Sequence, residues 1–191
     1  MPRWEQGSEE RLRTAALELF EERGFDDTSV VEIADRAGVT TRTFFRYFPD
    51  KREVLFAESD RHRAALVQQI LDTPDVTRPL RVITSTLAGF DWTGPGMDLL
   101  RRRHAVIAAS PGLLERDLIK RHDIAVAFAD ALQRRGVEAD AARLAARVGI
   151  QVFLTVYAQW VESDGHADPA ALTDAAMTLL ASLVPATRAI G

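Results

Sequence analysis

Apolar residues recur three or four positions apart along most of the chain, and apolar runs that alternate with period two are absent. This spacing places apolar side chains on one face of an α-helix, so the pattern predicts an all-α fold. Glycine and proline residues divide the pattern into about nine helices without an internal repeat. The predicted helices span about 8–23, 29–37, 40–48, 50–72, 77–91, 97–109, 112–135, 139–163 and 169–184.

Local residue choices predict where the early helices begin. Ser8 is expected to be the N-cap of the first helix, because a serine hydroxyl can accept a free backbone N–H there. Residues 29–32, Ser-Val-Val-Glu, are typical of a capping box that opens the second helix. Residues 50–53, Asp-Lys-Arg-Glu, have the same character. They predict a fourth helix that runs unbroken from residue 50 to about residue 72.

Composition and charge limit the classes of function. The chain has 191 residues, of which 47% are hydrophobic, so it can bury a core. With 24 basic and 28 acidic residues the net charge is −4, which excludes a uniformly basic nucleic-acid binder and requires any such role to rest on a local patch. Cysteine is absent, which excludes disulfides and thiolate metal sites. The first ten residues lack the apolar run of a signal peptide, and no stretch approaches ~18 uncharged apolar residues. We therefore expect a cytoplasmic protein without a membrane span.

An enzyme is the first rival class of function. The sequence lacks the HExxH zinc motif, a glycine-rich phosphate loop and a nucleophile elbow. Its four histidines are not paired at helical metal-ligand spacing. We accordingly predict no catalytic residues, no metal site and no cofactor.

Residues 38–51, GVTTRTFFRYFPDK, carry the chemistry that points to a function. The predicted second and third helices are separated by a short turn containing glycine, which is the spacing of a helix-turn-helix. Segment 40–48 holds two arginines and no acid, although residues 1–51 contain 8 basic and 11 acidic side chains. Positive charge is thus concentrated on the helix that would enter a DNA major groove. The alternative is an ordinary helical hairpin with a solvated charged face.

Helical periodicity divides the aromatic residues of this segment between two faces. Phe44 and Phe48 are four residues apart and are expected to face the core. Arg42, Phe45 and Arg46 fall on the opposite face. There an arginine can pair with guanine or phosphate, and a phenyl ring can pack on a thymine methyl group.

A second rival function is a helical binding or dimerisation module without a DNA role.

Many residues of the first third of the chain resemble, in order and without gaps, the N-terminal signature of TetR-family transcriptional regulators. The matching stretches are 24–25, 28–30, 33–34, 37–39 and 43–51, and the similarity covers about residues 8–60. The resemblance implies a helix-turn-helix DNA-binding domain at 1–52 and a ligand-binding and dimerisation domain at 53–191. It also implies a ligand-responsive repressor that binds a palindromic DNA operator as a homodimer. The DNA contacts that it implies are Thr28, Ser29, Thr40, Thr41, Arg42, Thr43, Phe45, Arg46, Tyr47 and Lys51. Phe45 departs from the tyrosine usual in the family, and Arg42 stands where many members have a small residue or lysine.

The last two predicted helices favour a dimer interface. Both are rich in alanine and carry large apolar residues at helical spacing. Small residues at Ala145, Ala146 and Gly149 would allow helices to approach closely. A four-helix interface with two helices from each chain fits this pattern. The alternative is that both helices belong to the core of the monomer.

The middle helices hold the candidate residues for a small-molecule effector. A ligand pocket is usually apolar with a few convergent polar groups. We expect it to be lined by Phe90, Trp92, Met97, Leu100, His104, Ile107, His122, Phe128 and Gln151. Each histidine, taken alone, is also consistent with a structural role. Effector binding is expected to tilt the fourth helix. We expect this helix to be the only rigid link to the DNA-binding head, residues 1–52.

A second basic cluster lies between residues 101 and 122, where Arg101–Arg103 are followed by Arg116, Lys120 and Arg121. One interpretation is a solvated helix face. The other is a site for an anionic head group, such as the phosphates of a fatty acyl-CoA, and the segment weakly resembles regulators with an acyl-CoA-like ligand-binding domain. The sequence leaves open the operator, the effector and the direction of regulation.

Overall fold

The computed structural model describes residues 3–92, 94 and 96–183, with residues 3–6 as backbone only. This part of the chain forms nine α-helices and one short 3₁₀-helix, and it contains no strand, which confirms the all-α prediction. The 3₁₀-helix covers Glu53–Leu55. The α-helices are α1 (Arg3–Arg23), α2 (Val30–Arg36), α3 (Thr41–Tyr47), α4 (Ser59–Asp72), α5 (Pro79–Ala88), α6 (Met97–Ala109), α7 (Pro111–Arg134), α8 (Ala139–Glu162) and α9 (Pro169–Leu183).

The predicted helix starts have mixed outcomes. The N-cap at Ser8 is wrong, because α1 already begins at Arg3 and the Ser8 hydroxyl accepts a hydrogen bond from Arg11 inside the helix. The capping box of α2 is confirmed. The Ser29 hydroxyl accepts the Glu32 N–H, and the Ser29 N–H donates to the Glu32 carboxylate at 2.8 Å.

The predicted fourth helix is wrong over its first turns. The Asp50 carboxylate accepts the N–H groups of Arg52 and Glu53, as a cap would, but only a 3₁₀ turn follows and α4 begins at Ser59. The three consecutive residues 54–56 are all buried. Burial of three successive side chains does not fit the single apolar stripe of a surface α-helix.

The helices assemble into two compact units. The first unit contains the described residues up to Arg61 together with Leu99–Lys120, and the second contains His62–Asp98 and the described residues from Arg121 onward. The first core is built around Leu12, Phe20, Ile33, Phe44 and Phe48. Most of α6 and the first part of α7 thus pack with the N-terminal helices. The hypothesis that α4 is the only rigid link to the head is wrong, whereas a functional boundary at residue 52 stays a prediction.

In the second unit α8 packs against both α5 and α9. The small residues of α8 make this possible: Ala145, Ala146 and Gly149 are buried within the unit. A Cβ atom added at Gly149 would lie 2.5 Å from Cγ2 of Ile83 on α5. These three positions therefore serve packing within one chain, and the four-helix dimer interface stays a prediction.

Among the described residues, α8 is the one helix that is long and apolar enough to cross a membrane. However, 44% of its most apolar window is buried within the protein. Partial burial of this kind is typical of a core helix, since its apolar side chains already have protein partners.

Gly149→Ala is expected to destabilise the second unit by about 1–3 kcal/mol, because the added methyl group would overlap Ile83. Gly7→Ala provides the matched control. Gly7 also lies in a helix but has open space around it, so alanine should stabilise α1 by about 0.5–1 kcal/mol. Urea unfolding followed by circular dichroism measures both. Equal shifts of the same sign in the two variants would contradict the close approach of α5 and α8.

Candidate nucleic-acid interface

The turn between α2 and α3 fixes the position of α3. Gly38 has a φ of +66°, a left-handed conformation that glycine adopts without strain. The Val39 N–H then donates to the Ala34 carbonyl oxygen at 2.9 Å. Thr40 caps α3: its hydroxyl accepts the Thr43 N–H at 3.2 Å and lies 3.0 Å from the Thr43 hydroxyl. Backbone geometry and capping thus set the start of the helix before any ligand binds.

The two faces of α3 differ sharply in burial. Phe44 and Phe48 are buried with ring centroids 5.5 Å apart, which confirms the division predicted from periodicity. Phe45 is 56% exposed, and its ring stands edge-on to Phe44 with centroids 5.4 Å apart. The outer face also presents the exposed Arg42 and Arg46, with Thr41 and Thr43 half-buried beside them.

The charges of the outer face are not compensated. Arg13, Arg23 and Arg36 each pair with a carboxylate elsewhere in the first unit. Arg42 and Arg46 have no ion pair within the part of the chain that the structure describes. Both guanidinium groups are therefore available to an anionic partner, and phosphate oxygens and guanine edges are the groups they bind best.

The side chain of Arg46 is held in place by its neighbour Tyr47. The Arg46 guanidinium donates to the Tyr47 hydroxyl at 3.0 Å and lies 4.9 Å from the centre of the ring. A pre-oriented guanidinium loses less rotamer entropy on binding. Arg42, near the start of α3, has no such support and can adapt to a base edge.

Two of the residues predicted to contact phosphate point into the protein. Thr28 is 2% exposed, and its hydroxyl donates to the Gly24 carbonyl oxygen at 2.8 Å. The Lys51 ammonium donates to the carbonyl oxygens of Phe25, Asp26 and Thr28 at 2.6–3.2 Å. An ammonium group has three N–H donors, so these bonds occupy all of them. Thr28 and Lys51 lock the turn between α1 and α2, and their contacts to DNA stay predictions.

Ser29 is exposed at the start of α2 but is engaged by the capping box. Hydrogen bonds from the backbone N–H and then the hydroxyl of Ser29 hold the pKa of Glu32 below its ordinary value. Asp50, after α3, shows opposing effects on its pKa. Its partial burial opposes ionisation, but hydrogen bonds from Arg52 and from backbone N–H groups outweigh it and lower the pKa. Both carboxylates therefore remain charged at neutral pH and keep their caps.

The predicted effector residues are spread over both units. Leu100, His104 and Ile107 belong to the first unit and the other six to the second. The three polar candidates, His104, His122 and Gln151, are exposed on helix surfaces. Leu100, Ile107 and Phe128 are core residues. A groove of about 560 Å³ along α1 and the end of α2 is lined by none of the nine. Their role in ligand binding stays a prediction.

Phe90 and Trp92 are two candidates in direct contact, with ring centroids 4.7 Å apart. Sequence reasoning missed most of the cluster around them. His62 stacks edge-on to both rings, and Phe153 lies 5.0 Å from Trp92. Tyr157, one helical turn beyond Phe153, continues the cluster, and this four-residue spacing is a signal that could have found the pair.

Groups of three or more histidine, aspartate or glutamate side chains able to hold a metal ion do not occur among the described residues.

A family model and several curated proteins match part of this chain. Residues 12–57 match the family model of bacterial regulatory proteins of the tetR family. MftR of Mycobacterium tuberculosis, a regulator assigned to mycofactocin biosynthesis, is 35% identical over 104 residues, which are 53% of this chain and 52% of MftR. The transcriptional activator FasR of Mycolicibacterium smegmatis is 34% identical over 42% of this chain and 38% of its own length. The chain thus spans about half the length, or less, of these relatives.

Solved structures resemble the chain over nearly its full length. The repressor FadR of Thermus thermophilus, in complex with lauroyl-CoA, is 26% identical with a TM-score of 0.52, and the match covers 96% of this chain and 99% of FadR. SmeT of Stenotrophomonas maltophilia, in complex with triclosan, is 21% identical with a TM-score of 0.59 over 90% of each chain. The SmeT match supports the fold.

Proposed function

We propose that the chain is a member of the TetR family of bacterial regulatory proteins, whose family model matches residues 12–57, and that it is a DNA-binding transcriptional regulator acting as a ligand-responsive repressor. The observation that carries the proposal is the outer face of α3. Two arginines without ion pairs and an exposed phenylalanine stand on a capped helix whose other face is buried. An exposed phenylalanine between these two arginines suits a helix in a major groove, where the ring can pack on a thymine methyl group.

The DNA contacts in this proposal follow from the placement of the side chains. Arg42 and Phe45 meet base edges, with Thr41 beside them. Arg46, held by Tyr47, and the exposed Ser29 meet the sugar-phosphate backbone. Thr40 and Thr43 act mainly as the cap of α3, since their hydroxyls are engaged with each other. Thr28 and Lys51 support the reading helix from inside, although the carbonyl-bound ammonium of Lys51 can still exchange a partner for phosphate.

The proposed regulator acts as a homodimer, because one seven-residue recognition helix provides few base contacts. The second unit offers a surface for it: Leu144 on α8 and Leu179 and Leu183 on α9 are exposed leucines. A homodimer that buries these side chains would carry two recognition helices, one for each half of a palindromic operator. Half-sites about 34–36 Å apart, one helical turn, suit such a pair.

The effector of the proposed regulator is a small, largely apolar molecule bound in the second unit. The half-buried aromatic cluster of His62, Phe90, Trp92, Phe153 and Tyr157 supports an apolar ligand that stacks on rings. FadR, which resembles this chain over nearly its full length, holds lauroyl-CoA. A fatty acyl-CoA is thus one candidate class. A repressor of this kind acts in the cytoplasm, where the DNA is.

A selection from random double-stranded DNA tests the proposed function. The full chain is expected to enrich one motif with two-fold symmetry, and sedimentation should show the protein as a dimer both free and on that DNA. The rival function, a helical binding module without a DNA role, predicts a dimer that enriches no motif. Enrichment of an asymmetric motif by a monomer would contradict the dimeric arrangement.

A further inference from the structure

The basic residues of α6 hold the N-terminal helices through direct contacts. Arg102 makes three hydrogen bonds of 2.6–3.1 Å to the Glu21 carboxylate on α1. Arg103 donates to the Leu55 carbonyl oxygen at 2.6 Å and lies 5.3 Å from the centre of the Phe56 ring. These cations are therefore neither a solvated face nor a site awaiting an anionic ligand.

Glu53 is the centre of a second group of contacts, made with α7. Its carboxylate lies 2.5 Å from Nε of Arg116 and 3.4 Å from Nζ of Lys120, and Lys120 also lies 3.6 Å from Asp60. The side chains of Glu53 and Lys120 are only 13% and 12% exposed. Charges this far from solvent interact more strongly than surface pairs, and removing one partner leaves the others desolvated.

The backbone connects Glu53 to the recognition helix over a few residues. Its N–H donates to the Asp50 carboxylate at 3.2 Å. Lys51, two residues before it, ties the same segment to the turn between α1 and α2. A displacement of α7 would therefore act on residues 50–55 through this ion pair. Phe48, the C-cap of α3, lies only two residues before Asp50.

We infer that Glu53 is a positioning residue for DNA binding: through Arg116 and Lys120 it couples the state of α7 to the orientation of α3. The inference rests on the proposed function and adds its route of regulation. Coupling between two sites is reciprocal, so operator DNA that fixes α3 must also stabilise α7 around Arg116. This consequence can be measured without knowing the effector.

Hydrogen exchange on the full-length protein, with and without the operator duplex from the selection, provides the test. In the wild type, operator binding is expected to slow exchange of the backbone amides of residues 112–120, far along the chain from α3. Glu53→Gln keeps the size of the side chain and removes its charge. We expect it to abolish this slowing, to weaken operator binding by about tenfold, and to leave the preferred bases unchanged.

Control variants separate positioning from general loss of structure. Glu58→Gln removes a carboxylate that pairs with Arg13 and Arg61 in the same unit, and it should keep the response of α7. Arg116→Gln removes one of the two partners of Glu53 on α7, so it should reduce the response of α7 in part, and the double variant should lose no more than Glu53→Gln alone. If the Glu53→Gln variant unfolds, the same assays on Arg116→Gln test the coupling instead. That variant leaves Glu53 paired with Lys120.

Two outcomes have distinct meanings. If the wild type enriches no operator, the proposed function fails. If it binds an operator, but α7 shows no change in exchange or Glu53→Gln behaves as the wild type, the coupling through Glu53 is overturned while the proposed function stands.

Discussion

The double variant Arg42→Ala/Arg46→Ala is expected to lose operator-specific binding by about 100-fold or more while keeping its fold and its dimer. A bidentate arginine contact to a guanine, proposed for Arg42, contributes about 1–3 kcal/mol. A hydrogen bond to a charged phosphate, proposed for Arg46, contributes about 1.5–3 kcal/mol, and tenfold in affinity corresponds to about 1.4 kcal/mol. Neither arginine is buried or ion-paired within the described residues, so their removal should leave stability almost unchanged.

The two single variants are expected to change different properties of DNA binding, base preference in one and overall affinity in the other. Arg42, near the N-terminus of α3, has the position from which a recognition helix contacts base edges, so Arg42→Ala should relax the preference at one base pair. Arg46 is pre-oriented by Tyr47, and in the proposed contact it meets phosphate. Arg46→Ala should weaken binding to all sequences alike and reduce the slope of affinity against salt by about one charge.

Fluorescence anisotropy with the selected operator, its single-base variants and several salt concentrations measures these effects. Arg36→Ala is the matched control, because Arg36 lies in the same unit but pairs with Glu22 at 2.8 Å. It should bind operator as the wild type does. If the double variant bound the operator within twofold of the wild-type affinity, α3 would not be the recognition helix.

The features of the N-terminal helices that could be predicted from the sequence are those determined by contacts between residues close together in the chain. A serine followed three residues later by glutamate forms the capping box of α2 because both partners lie within one turn. The burial of Phe44 and the exposure of Phe45 follow from helical periodicity alone. The glycine of the turn has the left-handed φ that a helix-turn-helix needs.

The features that could not be predicted depend on partners distant in the chain. Glu53 looked like the end of a capping box, yet it meets Arg116, 63 residues away, and the segment around it becomes a 3₁₀ turn. Lys51 looked like a phosphate ligand, but three carbonyl oxygens of the preceding turn lie within reach of its ammonium. Gly149 has the pattern of a helix interface without revealing that its partner is Ile83 of the same chain.

Substitution of two adjacent residues, Phe44 and Phe45, should separate stability from recognition. Phe44 is 0% exposed and packs against Phe48 in the core of the first unit. Truncation of a buried phenylalanine to alanine costs about 3–5 kcal/mol, a large share of the ~5–15 kcal/mol that stabilises a typical domain. Phe44→Ala is therefore expected to unfold the head or leave it marginally folded.

Phe45→Ala changes the same residue type one position further along the same helix. Its ring is 56% exposed, so the variant should keep the stability of the wild type to within about 0.5 kcal/mol. It should still bind operator more weakly, because an apolar contact to a thymine methyl group is lost. In a binding assay alone the two variants would look similar.

Urea unfolding followed by circular dichroism, combined with anisotropy on the same samples, distinguishes them. Phe44→Ala should lose stability and all DNA binding together, whereas Phe45→Ala should lose affinity at an unchanged unfolding midpoint. Equal destabilisation by the two substitutions would mean that Phe45 supports the core. If Phe45→Ala kept full affinity for the operator, its exposed ring would have no role in reading DNA, and recognition would rest on the arginines alone.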